Sequence, residues 1–330
     1  MSSRVEPPSQ SALDAGEYLG PRLAVDPLDD GEDEDAKREH FQSPRRDAWN
    51  RFKRNRAAML ALAATVGLLI AAICAPWMHT VNPLSQDYGS LDLRPSPQHW
   101  FGTDNVGRDQ YSRLLYGLRI PLTVALIGTA ITVVIGAMSG VVAGYFGGWV
   151  DSLLCRFTDV MFAFPGFLLA LIVVSLFGPA LDPYFGGGGR VILLTIVFSL
   201  VSWPPLMRFV RSLALNLREQ QFIEAARACG SSGGSIIMKH LLPNMWGLVL
   251  VQASFIVAAV ISTETVLSIF GLGVEPPNPD LGQMLYDGVQ HIGLGYSQII
   301  FPSIVLATLI LSFTLLGNGL RDALDPRSHG

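Results

Sequence analysis

The chain has 330 residues, of which 50% are hydrophobic and only 15% charged, with a formal net charge of −4. At this length that balance excludes an ordinary soluble domain, and it gives no reason to expect a nucleic-acid partner. It reads as an all-α protein that crosses a membrane several times.

Residues 1–44 differ from the rest. Asp29, Asp30, Glu32, Asp33, Glu34 and Asp35 form an acidic block among Pro and Ser, a composition that buries too little apolar surface to fold. A disordered, acidic cytoplasmic tail is expected here. A polar stretch this long does not suit a cleaved signal peptide, so the first apolar segment should remain as an anchor.

Six stretches lack Asp, Glu, Lys and Arg: 57–78, 120–150, 160–181, 191–207, 241–263 and 292–320. Each is long enough, or nearly so, for a hydrocarbon core that needs about 20 apolar residues. The fourth is short, but Arg190 and Arg208 flank it and can extend their charges to the two interfaces. Six transmembrane helices are predicted.

Basic residues set the orientation. Arg45, Arg46, Arg51, Lys53, Arg54 and Arg56 precede the first span, Arg208, Arg211, Arg218, Arg227 and Lys239 surround the loop after the fourth, and Arg321 and Arg327 follow the sixth. The positive-inside rule puts all three segments, and both termini, in the cytoplasm. Arg94, Arg108, Arg113 and Arg119 then fall outside, against the rule. Tyr111, Leu114, Leu115 and Leu118 recur at helical spacing, which predicts a helix lying in the outer interface around these arginines.

Within the spans, prolines and small residues stand out. Pro165 in the third and Pro204-Pro205 in the fourth each remove a backbone donor and favour a kink, of use to a gate but widely tolerated in membranes. Gly128, Ala130, Gly136, Ala137, Ser139, Gly140 and Gly144 in the second allow close helix packing. Two acidic side chains are candidates for the pathway because intramembrane charge is costly. Asp159 lies one turn after Arg156, where an i, i+3 ion pair is the plain alternative. Glu264 lies roughly 30 Å up its helix from Asn244, where it either lines the outer mouth or caps the interface.

Catalytic and metal motifs do not emerge. Gly186-Gly187-Gly188-Gly189 is followed by Arg190 and not by a Lys-Ser/Thr pair, so it is no phosphate loop. The six histidines show no zinc pattern, and Cys74, Cys155 and Cys229 are scattered, with no disulfide framework implied. No catalytic and no metal-binding residue is assigned.

The most specific signal is the loop at 213–244. Glu224-Ala225-Ala226 is followed after three residues by Gly230, then by a nine-residue spacer and His240-Leu241-Leu242-Pro243. Ala225, Ala226, Ala228 and Gly230 make a helical surface of little bulk that another protein can approach closely. Glu224 and Arg227 add charge at i, i+3, Gly230 suits a helix end, and Pro243 suits the first turn of the next.

This pattern resembles the cytoplasmic coupling loop of ABC importer permeases, the membrane subunits driven by separate ATPases. The likeness extends to Phe101-Gly102-Thr103-Asp104 with Gly107-Arg108-Asp109, to Gly144-Tyr145-Phe146-Gly147-Gly148, Ala163-Phe164-Pro165 and Phe270-Gly271-Leu272-Gly273-Val274 with Pro276-Pro277, and to the ending from Leu316 to Arg327. These resemble the C-type permease subunit of dipeptide, oligopeptide and nickel importers over nearly all of 50–327. His240 stands where the general pattern has an aliphatic residue, and Asn318 where Asp is frequent.

The resemblance implies a type I ABC importer permease fold: an N-terminal region at 45–118 with the first span and an outer segment, a five-helix core at 119–320, and a cytoplasmic tail at 321–330. It implies ATPase coupling through Glu224, Ala225, Ala226, Arg227, Gly230, Leu242 and Pro243; Glu264, Asp159 and Pro165 are, from their own chemistry, the candidates for pathway or gate. Expected partners are membrane lipid, a second homologous permease, two ATPase subunits that bind ATP and magnesium, and an external substrate-binding protein, all at a prokaryotic inner membrane. This chain itself should be no enzyme. Rival readings are a proton-coupled secondary transporter using Glu264 or Asp159, disfavoured by the lack of internal repeats, and a membrane scaffold that only recruits an ATPase.

Overall fold

A computed structural model describes residues 44–185, 187–291 and 296–324. The chain divides into two units, Met1–Asp47 and Ala48–Gly330. The acidic tail and the last six residues fall outside the described residues, and the account below concerns the second unit.

The described chain is helical, with one isolated bridge between Thr103 and Asp109. Helix α1 (Pro44–Arg54) ends in Arg51, Lys53 and Arg54. Its Phe52 is buried against Ala58 and Ala323. Helix α2 (Arg56–Met78) starts at Asn55, whose side chain accepts the Ala58 N–H at 3.2 Å, an ordinary N-cap. Pro76 lies inside α2 and has no N–H to offer the Ala72 carbonyl one turn back. Arg119 takes that role from outside the helix, its Nε donating to Ala72 O at 2.7 Å and its Nη2 to Ile73 O at 3.2 Å.

Helix α3 (Gln110–Gly117) runs almost directly into α4 (Arg119–Phe146). The helix predicted around Tyr111 to Leu118 exists, yet it does not float on an interface: Leu114, Leu115 and Leu118 are buried, and so is Arg113.

The third predicted span differs most from expectation. Helix α5 (Gly148–Phe162) and helix α6 (Gly166–Phe185) are separate, and the pair is bent by 71°. Pro165 therefore does not kink a continuous helix over 160–181. It sits in a break, its carbonyl accepting the Leu169 N–H at 3.0 Å to open α6. Helix α7 (Gly187–Leu217) is longer than the predicted 191–207 and contains Pro204 and Pro205 without interruption.

After α7 come α8 (Gln221–Ala228), the short α9 (Gly233–Ile236), a π-helical turn (Ile237–Leu241) and α10 (Leu242–Ile269). Helix α11 (Leu281–Gln290) and the last span α12 (Ser297–Leu324) complete the described chain. Among the described residues, five helices are long and apolar enough to cross a membrane, six if the bent α5/α6 pair counts as one span.

Helices α4 and α7 form the most intimate pair. A Cβ on Gly140 would lie 2.6 Å from the Met207 carbonyl oxygen, and one on Gly144 would lie 2.6 Å from the Ala214 Cβ. The small residues of the second span thus let two backbones meet, as packing predicts. Cross-helix hydrogen bonds add to this: Ser199 Oγ donates to Gly128 O at 3.1 Å.

Two apolar clusters follow one another along the bundle. One gathers Leu122 and Ala125 of α4, Leu194 and Phe198 of α7, Ile261 and Leu267 of α10 and Leu281 of α11. The other gathers Val141 of α4, Leu206 and Val210 of α7, Ile223 of α8, Ile237 and Leu241 of the π turn, and Met245 of α10. Large side chains such as Trp77, Leu60, Ile73, Val134 and Leu176 point away from both and are exposed, as lipid-facing residues are. The two ends of the bundle are named below for Gly230 and for Asp104.

Candidate functional site

At the Gly230 end, α8 rests on an apolar floor. Ile223 is completely buried among Val141, Val210, Ala214, Ile236, Ile237 and Leu241, and Ala226 is half-buried beside it. Burying Ile223 alone is worth about 1.5–3 kcal/mol, enough to seat an eight-residue helix that would be marginal by itself. The opposite face of α8, comprising Gln221, Phe222, Glu224, Ala225 and Ala228, is exposed. Cys229 beyond it is exposed as well.

Gly230 ends this helix with φ at +79°. Its N–H reaches the Arg227 carbonyl at 2.9 Å, and the Ser231 N–H reaches the Ala226 carbonyl at 3.0 Å, a left-handed C-cap that suits glycine. Ser232 then caps α9 through the Ser235 N–H. At the far side of the loop Leu242 is half-buried and Pro243 exposed, in the first turn of α10. The residues singled out in sequence thus occupy one short elbow. Arg227 behaves differently from Glu224, because its guanidinium stacks 5.2 Å from the Tyr145 ring of α4. Glu224 is left as the outward charge.

Ion pairs tie α7 to α5 at this end. Arg211 of α7 grips Asp151 of α5 with two bonds, at 2.5 and 2.6 Å. Arg218, just beyond α7, donates to the Gly144 carbonyl at the end of α4 at 3.1 Å, a favourable place for a cation at a helix C-terminus. Asp159 does not pair with Arg156 one turn away. It pairs with Arg208 of α7, which also reaches Thr158 at 3.3 Å and covers the Phe162 ring. Sequence spacing missed this because the partner is 49 residues distant.

The Asp104 end carries a denser polar network that sequence reasoning did not assign. Asp104 accepts the Arg108 Nε at 2.6 Å and the backbone N–H groups of Val106 and Arg108, with Arg113 Nε 3.7 Å away. Arg108 also faces Asp287 of α11 at 3.7 Å. Asp109 caps α3 through Ser112 N at 2.8 Å and holds His99 Nδ1 at 2.9 Å and the Thr80 hydroxyl at 3.1 Å. The acid and base pair at i, i+4 within Asp104 to Arg108 was the available signal. Glu264 lies beneath this network, completely buried. Burial also pushes the Asp280 carboxyl, at the start of α11, above the usual carboxylate range.

With an elbow of small residues seated on a helical bundle, comparison with known proteins becomes specific. Residues 132–330 match the family described as binding-protein-dependent transport system inner membrane component. The chain belongs to that family. Residues 43–95 of this permease also match the N-terminal TM domain of oligopeptide transport permease C. It is 36% identical over 285 residues to the dipeptide transport system permease protein DppC of Alkalihalophilus pseudofirmus, covering 86% of this chain and 90% of that one. It is 38% identical over 295 residues to the glutathione transport system permease protein GsiD of Escherichia coli O157:H7, covering 89% and 94%. In fold it is similar to a chain of the inward-facing MetNI methionine ABC transporter, with TM-score 0.50 at 20% identity, over 64% of this chain and 96% of the other.

The protein is therefore a multi-pass permease subunit of an ABC importer of the peptide and nickel group, resident in an inner membrane. Members of the family are transport components and not enzymes, and ATP hydrolysis belongs to separate subunits. Nothing in these matches supports proton-coupled transport.

Proposed function

We propose that this permease imports small peptides, in the size range of a dipeptide or glutathione, and forms half of the pathway together with a second, homologous permease. Both relatives above are named for such solutes. In this reading the Gly230 end and both termini face the cytoplasm, as the basic residues there favour, and the Asp104 end faces an external binding protein. Two ATPase subunits hold ATP and magnesium and each receives one coupling elbow.

The observation that carries the coupling role is the two-sided character of α8. Its outer face is exposed, with the small Ala225 and Ala228 beside Phe222 and Glu224, while Ile223 on its inner face is packed into the cluster shared by α4, α7 and α10. A push on the outer face is passed to those three helices because a packed apolar interface transmits strain. Closure of the ATPases on ATP then draws two elbows together and reorients the halves, a rigid-body transition. Pro165 fits a gate in this scheme because it marks the bend between α5 and α6, where a change of angle needs little repacking.

The test is ATP-driven uptake of a labelled dipeptide and of glutathione by membranes carrying the whole complex with Glu224→Arg or Gly230→Phe. Uptake should fall to background in both while the chain still inserts. Unchanged uptake in both variants contradicts the coupling role. Loss of ATP hydrolysis coupling without uptake of either solute in the wild type contradicts only the choice of solute.

A further inference from the structure

The carboxyl groups of Glu264 and Asp280 lie against each other inside the Asp104 end, both at 0% exposure. Glu264 projects from the last turns of α10, and Asp280 caps α11. Asp280 Oδ2 is occupied: it accepts the Ser268 hydroxyl and the Gln283 N–H. Asp280 Oδ1 and both oxygens of Glu264 receive no well-formed hydrogen bond; the Thr265 hydroxyl lies close to the Glu264 carboxyl, but it donates to the Ile261 carbonyl at 2.8 Å. Buried oxygens in that state are rare and costly, and the partner each of these three can still find is the facing carboxyl.

The surrounding charges decide what passes between them. Arg108 and Arg113 face Asp104, Asp287 and Asp280. Two cations thus meet three carboxylates before Glu264 is counted. Arg190 of α7 is engaged with Glu275 and with the Gly273 carbonyl. Arg119 at the start of α4 turns to the carbonyls of α2, and α12 has no ionisable side chain before Arg321. A fourth negative charge at Glu264 would have no cation to answer it. A bound metal ion is a poor substitute, since hard cations want six or more oxygens and, among the described residues, no third acidic, His or Cys side chain joins the pair.

We propose that Glu264 carries a resident proton and donates it to Asp280 Oδ1, so that the two carboxyls share one negative charge and fasten the segment 270–280 onto α10. Asp280 is the acceptor because it already receives two donors on its other oxygen, whereas the one hydroxyl near Glu264, that of Thr265, is turned to the Ile261 carbonyl. The proton stays in place and is not a transported ion. The same segment is held to α7 through Arg190 on the Gly273 carbonyl, at 3.0 Å, and to α3 through Arg113 on the Pro277 carbonyl, at 3.4 Å. Glu264 reinforces the third anchor, α10, where Ser268 one turn further on already bonds Asp280, so that the three helices turn as one body at this end. It is a positioning residue, acting through Asp280.

The experiment compares the assembled complex in lipid nanodiscs with its Glu264→Gln and Glu264→Leu variants. Difference infrared spectra at neutral pH should show a protonated-carboxyl stretch in the wild type that Glu264→Gln lacks. Amide hydrogen exchange over 270–280 should stay within about twofold of wild type in Glu264→Gln, whose amide donates the same bond, and rise about tenfold in Glu264→Leu, which cannot donate. A band unchanged by Glu264→Gln places the proton elsewhere and overturns the proposal. Wild-type exchange in Glu264→Leu removes the anchoring role, and if that variant does not assemble, the infrared comparison still decides. Neither readout involves a solute, so the result is independent of the peptide reading.

Discussion

The two ends of this permease are built on opposite plans. At the Asp104 end, charges are taken inside: Arg113 is 2% exposed and Asp104 3% by side chain, and the loops are tied by buried ion pairs and caps. At the Gly230 end, apolar side chains are inside and the outward face sets Ala225 and Ala228 beside Gln221, Phe222 and Glu224. A buried charge network resists change because breaking it strands charge. A small-residue face over a greasy floor accepts a partner at little cost. One end is suited to hold its shape, the other to be grasped.

Substitutions sharpen the contrast. The largest stability effect is expected for Arg113→Ala, which strands Asp104 without one of its cations. About 3–5 kcal/mol should be lost, read as a steep fall in the thermal midpoint of the purified complex. Gly140→Val should follow, because its side chain would be driven into the Met207 backbone, at about 1–3 kcal/mol. A Gly234→Ala control, where a Cβ meets nothing within 4 Å, should leave the same midpoint unmoved.

A pH series probes the Asp104 end separately. The Asp280 carboxyl is raised by burial, so its contribution is fully present below the ordinary carboxylate pKa and is lost as pH rises through the raised value. Wild-type stability should decline over that upper window, and Asp280→Asn, which still caps α11, should flatten the decline. A wild-type curve that instead rises with pH there would contradict the assignment. Apart from the Gly234→Ala control, the smallest stability change belongs to Ala225→Phe, within about 0.5 kcal/mol for an exposed site, although uptake should be abolished. Loss of stability with uptake preserved would reverse the contrast between the ends.

Much of this was legible in the chain itself. The charge-free runs located the spans, since few charges survive in hydrocarbon, and the elbow was visible because Gly230 and Pro243 punctuate it with Ala-rich helix between. The break at Pro165 was not, because a proline in a membrane helix can bend it, end it or do neither, and Pro204-Pro205 passes through α7 unbroken. The partner of Asp159 and the burial of Glu264 were also hidden, as both depend on helices far apart in sequence. Three of the four arginines that sit awkwardly with the positive-inside rule have specific contacts: Arg108 is bound to Asp104, Arg113 faces it at 3.7 Å, and Arg119 donates to the Ala72 carbonyl left open by Pro76.

The central claim, that the elbow takes up work from an ATPase, is tested most directly by cross-linking from position 225. In a Cys229→Ser background, Ala225→Cys in the assembled complex should cross-link to an ATPase subunit, with a yield that changes between nucleotide-free and ATP-bound states. Absence of any such adduct in an active complex, or labelling of position 225 by a membrane-impermeant reagent from outside the cell, would contradict it.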